Sequence, residues 1–83
     1  MKKAYIAYLT HDDGFEYSPV AFQTEHEAKS ELERLLRDLA ENMEVTYLSP
    51  DNPKRWQFED DLLEEFSYGG LYFGVQEVKL DWL

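Results

Sequence analysis

Cysteine is absent from this chain. Disulfide staples and thiolate zinc ligands are therefore excluded, which suits a reducing cytosol. Basic residues are scarce: 8 Lys and Arg stand against 18 Asp and Glu, a formal net charge of -10 over 83 residues. The pI is near 4.4. A chain so poor in cations is not a generic nucleic-acid binder, because phosphate neutralisation needs Lys and Arg. Long apolar runs are missing too. Ala4 to Leu9, behind Met1-Lys2-Lys3, is too short and too tyrosine-rich for a signal peptide or a membrane span. A soluble, cytoplasmic protein with no membrane contact is expected. With four glycines and three prolines, the chain carries no linker, low-complexity tract or Gly-rich phosphate loop.

Apolar residues are plentiful by contrast, 43% of the total with 16% aromatic. That is enough to fold despite the charge. The length suits a single domain over residues 1–83 that buries about 60% of the surface its unfolded chain exposes. Residues 3–10 have strand composition and stop at an Asp13-Gly14 turn signal, and Tyr17 to Gln23 reads as the returning hairpin strand. Pro19 puts that strand at an edge or at its first ladder position, because proline has no N–H to donate.

Thr24 followed by Glu27 is a capping box, so a helix starts there. Its apolar residues Ala28, Leu32, Leu35, Leu36, Leu39, Ala40 and Met43 form one stripe over about five turns. Glu25 with Lys29 and Glu33 with Arg37 stand four apart, in the favourable order for ion pairs on the solvated face. Glu44 to Ser49 reads as a third strand. Pro50-Asp51-Asn52-Pro53 then breaks the chain before a second helix, with Asn52 as N-cap and Pro53 at its first position. In that helix Phe58, Leu62 and Phe66 recur at four, and Gly69-Gly70 is positioned to close it in a left-handed turn. Leu71 to Trp82 alternates in two parities, which predicts a strand with a β-bulge near Gly74 or Gln76-Glu77. The order β-β-α-β-α-β implies an α+β fold, a mostly antiparallel four-stranded sheet with two helices packed on one face.

Residues for catalysis are hard to find. There is no serine or cysteine placed with a base, and there are only two histidines, so no enzymatic activity and no cofactor are expected. His11-Asp12-Asp13 with Glu16 matches no EF-hand spacing and reads as a solvated turn, so no metal site is expected either. The charge distribution says more. From residue 56 onward, Glu59, Asp60, Asp61, Glu64, Glu65, Glu77 and Asp81 face a single base, Lys79. Carboxylates three and four apart on a helix repel one another by a few tenths of a kcal/mol per pair. Such a row either only keeps the protein soluble or presents negative charge on the scale of neighbouring phosphates to a groove lined by Lys and Arg. Asp60, Asp61, Glu64 and Glu65 form the centre of this candidate face, with Asp12, Asp13 and Glu16 as a second contact. Trp56 and Tyr68 are candidate apolar anchors, since exposed aromatics beside charge are typical of binding hot spots.

In size, absent cysteine, mixed α/β pattern and the acidic run Glu59 to Glu65, the chain resembles the small acidic inhibitors that phages encode against bacterial nucleases. Anti-CRISPR and anti-restriction proteins, several of which imitate nucleic acid, belong to that class. The likeness implies stoichiometric binding to a basic surface of a nuclease or nucleic-acid-binding complex, without direct contact to nucleic acid. An immunity protein or antitoxin that plugs a toxic nuclease has the same surface physics. Pairing of two copies into a homodimer through an edge strand is left open.

Overall fold

The computed structural model describes residues 2–11 and 16–80. Within them the chain runs β1 (Lys2–His11), β2 (Glu16–Phe22), α1 (Glu25–Asn42), α2 (Arg55–Glu65) and β3 (Leu71–Leu80). The sheet has three strands in the order β2-β1-β3, and both pairings are antiparallel. The hairpin and the α+β class follow the sequence reading, and the four-stranded sheet does not.

The strand predicted at Glu44 to Ser49 is not formed: Glu44 lies in the turn that ends α1, and residues 45–49 have no ladder partners. Its alternation holds over the first four residues. Val45 and Tyr47 pack against the core while Glu44 and Thr46 face solvent, and Leu48 then breaks the pattern by packing inward as well. β-propensity reports how well side chains suit a pleated, half-buried surface, and a helical layer provides that as well as a sheet does. The predicted bulge is also displaced. β3 pairs with β1 in unbroken register from Leu80 opposite Lys2 to Leu71 opposite His11. The irregularity lies between β1 and β2, where one residue, Tyr8, faces two, Ser18 and Pro19. Pro19 thus sits on an edge strand at the position where the ladder breaks, and its missing donor is harmless there. Gly74 answers a different need. It lies opposite Tyr8, whose ring crosses it so closely that a Cβ at Gly74 would fall 2.7 Å from the hydroxyl oxygen.

α1 begins as expected. Thr24 is extended (φ -125, ψ 150), and its Oγ1 accepts from the Glu27 amide at 3.1 Å. The hydroxyl in turn donates to the Glu27 carboxylate. Ala28, Leu35, Leu36, Leu39 and Ala40 are buried along the predicted stripe. Leu35, Leu36, Leu39 and Ala40 join Leu9 and Leu71 of the sheet and Phe58 and Leu62 of α2 in one core. α1 lies across the sheet face that presents Leu9, Leu71 and Phe73, and α2 reaches the same core through Phe58 and Leu62. α2 begins two residues later than the Pro53 start expected. Asn52 is not its N-cap. Its Oδ1 closes a turn by accepting from the Lys54 amide, and the capping position falls to Lys54, which has no side-chain capping bond.

Both helices end in Schellman motifs with non-glycine residues in the left-handed region. After α1, Glu44 has φ 58, its amide donates to Glu41 and the Val45 amide donates to Ala40. After α2, Ser67 (φ 55) and Tyr68 (φ 61) take the left-handed positions expected of Gly69-Gly70, and the Tyr68 amide donates to Leu63. A left-handed residue with a Cβ costs about 1–2 kcal/mol, while glycine there adds back some unfolded-state entropy. Glu44→Gly is therefore expected to stabilise the fold by about 0.5–1 kcal/mol, read as a higher urea midpoint with an unchanged m-value.

Candidate functional site

α2 and the chain between the helices form the part of the molecule with the most concentrated charge. Two side-chain rows run along the outer side of α2. Trp56, Asp60 and Glu64 stand four apart, and Asp61 and Glu65 form the neighbouring row. Trp56 is 67% exposed and Tyr68 59% exposed, so both candidate anchors face solvent at opposite ends of these rows. Tyr68 belongs to the same field: partial desolvation and then the charges of Asp60, Glu64 and Asp61 push its phenol pKa above the usual value. Asp61, Glu64 and Glu65 line an open notch together with Glu44, Val45 and Thr46. The left-handed turn at Glu44 brings a fourth carboxylate to this notch from outside α2, a contribution that reading Glu44 as the start of a strand had hidden.

The ion pairs sort the carboxylates. Glu25 pairs with Lys29 at 2.9 Å, Glu77 with Lys3 at 3.2 Å and Asp38 with Arg34 at 3.0 Å, and Glu31 also contacts Arg34. Glu33 and Glu59 share Arg55. Among the described residues, Glu44, Asp60, Asp61, Glu64 and Glu65 have no cation within 4.0 Å. Glu27, Glu41 and Asp51 are similarly unmatched but do not line the notch. α2 has no basic residue in its last turn and no acidic residue in its first, the reverse of what the helix dipole favours. Asp60 to Glu65 covers about 7.5 Å of helix axis at 1.5 Å per residue. Four carboxylates in that span have a mean axial spacing of about 2.5 Å, between the ~1.7 Å of duplex DNA with both strands counted and the ~3.4 Å of one strand.

Arg55 anchors the rear of this face. Its guanidinium forks onto Glu33 of α1, with Nη1 to Oε1 at 2.6 Å and Nη2 to Oε2 at 2.8 Å. It also donates to Glu59 at 3.0 Å and to the Leu48 carbonyl at 2.8 Å. Burial alone would lower the Arg55 pKa, but the hydrogen bonds and charges of Glu33 and Glu59 reverse this and hold it above its usual value. Tyr47 completes the network. Its hydroxyl donates to Glu33 at 2.6 Å, and burial, then Glu33, push the phenol pKa up. The Glu33–Arg37 pair expected from spacing is not made: Glu33 turns to Arg55, and Arg37 lies over the Tyr47 ring at 5.5 Å.

The hairpin acids are not joined to this face by any described contact. Asp12 and Asp13 lie outside the described residues, and Glu16 opens β2 opposite Thr10. β1 does end beside α2, with the His11 and Phe66 rings 4.9 Å apart. Among the described residues, no three His, Asp or Glu side chains are arranged to hold a metal ion, and no helix is long and apolar enough to cross a membrane. Comparison with protein-family models, with curated proteins and with solved structures finds no match.

Proposed function

We propose that this protein is a non-enzymatic inhibitor that occupies a basic nucleic-acid-binding surface of a nuclease or defence complex through the acidic face of α2. The reading rests on one observation: the four carboxylates that line the α2 notch, with Asp60 beside them, lack a cation within ion-pair distance, although six other described carboxylates are paired. A helix selected only for stability would place bases in its last turn. An acidic helix end that opposes its own dipole is better explained by a cation supplied from outside, where an Arg or Lys entering the notch would make charge-assisted hydrogen bonds. Trp56 and Tyr68 flank the rows as anchors. In this reading the protein acts in the cytoplasm, and in the host's if a phage encodes it.

Reversing Asp60, Asp61, Glu64 and Glu65 together to lysine gives effects of opposite sign. Stability should hold or rise by about 1 kcal/mol, because the last turn gains cations. Binding should fall at least 100-fold. The experiment captures a partner from the native host on immobilised protein, identifies it by mass spectrometry and titrates both forms against it. The captured protein is expected to bind nucleic acid, to lose activity when the wild-type chain is added, and to be released by duplex DNA or by raised salt. Equal capture by the reversed variant, or a partner without a basic nucleic-acid site, sinks the proposal.

A further inference from the structure

The sheet has a second face, and among the described residues no helix covers it. Leu9, Leu71 and Phe73 point toward α1 and α2, so residues of the other parity point away. These include Ala4, Ile6 and Tyr8 of β1 and Tyr72, Gln76 and Val78 of β3, cross-paired as Ala4 with Val78 and Ile6 with Gln76. An antiparallel sheet with one wet side ordinarily turns polar residues outward. Here the outward set is mostly Ala, Ile, Tyr and Val with Thr10 and Gln76 among them, and the two charged residues of this parity, Lys2 and Glu16, stand at opposite ends of the sheet. Tyr72 is 61% exposed on it. Tyr8, laid flat across Gly74, keeps its centre level. The protein is a slab only 17 Å through its thinnest axis, the depth of a sheet with one helical layer.

We propose that this helix-free face is where two copies of the chain pack back to back, sheet against sheet. Charge selects the occupant. A basic partner gains little from a face with one acid and one base at opposite ends and no charge between them, whereas a second copy brings a surface of the same kind and keeps both acidic α2 faces pointing outward. Elsewhere the described surface of a chain with net charge -10 would meet its copy with like charge. Area sets the strength. Strands of ten, seven and ten residues, at ~3.3 Å per residue and ~4.8 Å between strands, give a footprint of roughly 430 Å² per copy. Two such footprints total roughly 860 Å², just under the ~1,000 Å² of a stable specific interface and in the range of weak, transient ones. The dimer is therefore a weak, reversible one. Stacked sheets sit ~10 Å apart with interdigitated side chains, a spacing that Ile6, Tyr8 and Val78 can fill.

This inference does not depend on the inhibitor reading, and salt separates the two. Sedimentation velocity on the full chain, from low micromolar to about 0.5 mM, should show the mass rising from 9.9 kDa toward twice that value. Raising salt from about 50 to 500 mM should strengthen the dimer, since it screens repulsion between two acidic copies. The same change weakens binding through the acidic face. Tyr72→Glu should weaken dimerisation at least tenfold with unchanged circular dichroism, and Gln76→Lys is the second variant if Tyr72→Glu fails to fold. The α2 variant with four lysines should still dimerise. A chain that stays monomeric at the highest concentration, a dimer indifferent to both face variants, or one that dissociates as salt rises would each overturn the proposal.

Discussion

Phe58→Ala is expected to destabilise the fold by about 3–5 kcal/mol, the usual cost of removing a buried phenyl ring. A chain of this length has a total stability of roughly 4–12 kcal/mol, so the variant should be partly unfolded at 37 °C. Phe58 is 1% exposed and lies where α2 meets the core. It also supports two other groups. The Tyr47 ring stands edge-on to it at 5.1 Å, and the Arg55 guanidinium lies over it at 5.1 Å. Truncation removes the platform for both, so the cost should fall in the upper part of that range. Trp56→Ala, two positions away on the same helix but exposed, should shift stability by less than about 0.5 kcal/mol. Urea melts of the two variants check the contrast. A Phe58→Ala cost under about 1.5 kcal/mol would mean that α2 does not dock through this ring.

That contrast shows what is legible in the sequence. Periodicity separates Phe58 and Leu62 from Trp56 and Asp60 because a helix of 3.6 residues per turn must put them on different sides. The α1 stripe and its Thr24 cap are legible for the same local reason. The strand count is not. Val45 and Tyr47 alternate as strand residues do, and only the tertiary structure shows that they pack among helices without a ladder to join. Gly74 is similarly ambiguous: a strand glycine marks either a bulge or a close approach, and the crossing Tyr8 ring selects the second. At the candidate site, the acids of α2 can be read from the sequence because they are neighbours on one helix. Glu44 cannot, since it reaches the notch only through the left-handed turn that ends α1. Arg55 has no short-range signature either. Its main partner, Glu33, is 22 residues away, and four-residue spacing assigns that glutamate to Arg37 instead.

Arg55 carries the second large effect. Its side chain is 14% exposed and that of Glu33 19%, so each is largely removed from water and depends on the other. Removing one member of such a pair leaves an uncompensated charge, which costs about 3–5 kcal/mol for full burial and somewhat less at this partial exposure. Arg55→Met keeps much of the apolar stem and should cost about 2–3 kcal/mol. Arg55→Lys should recover little of it, because an ammonium cannot fork onto Glu33 while also reaching Glu59 and the Leu48 carbonyl. The penalty therefore comes from stranding Glu33 as well as from losing contacts. Glu33→Gln placed on Arg55→Met should then cost less than the two single changes summed, with a coupling of about 1–2 kcal/mol in a double-mutant cycle. Additive losses would mean that Glu33 is satisfied without Arg55. The consequence for the acidic face follows from connectivity. α2 has no side-chain N-cap and an end that opposes its dipole, so Arg55, Phe58 and Leu62 are what hold it against the rest of the core. Arg55→Met should accordingly speed amide exchange across Arg55 to Glu65 more than across α1, and should weaken partner binding although Arg55 lies behind the face that makes the contact.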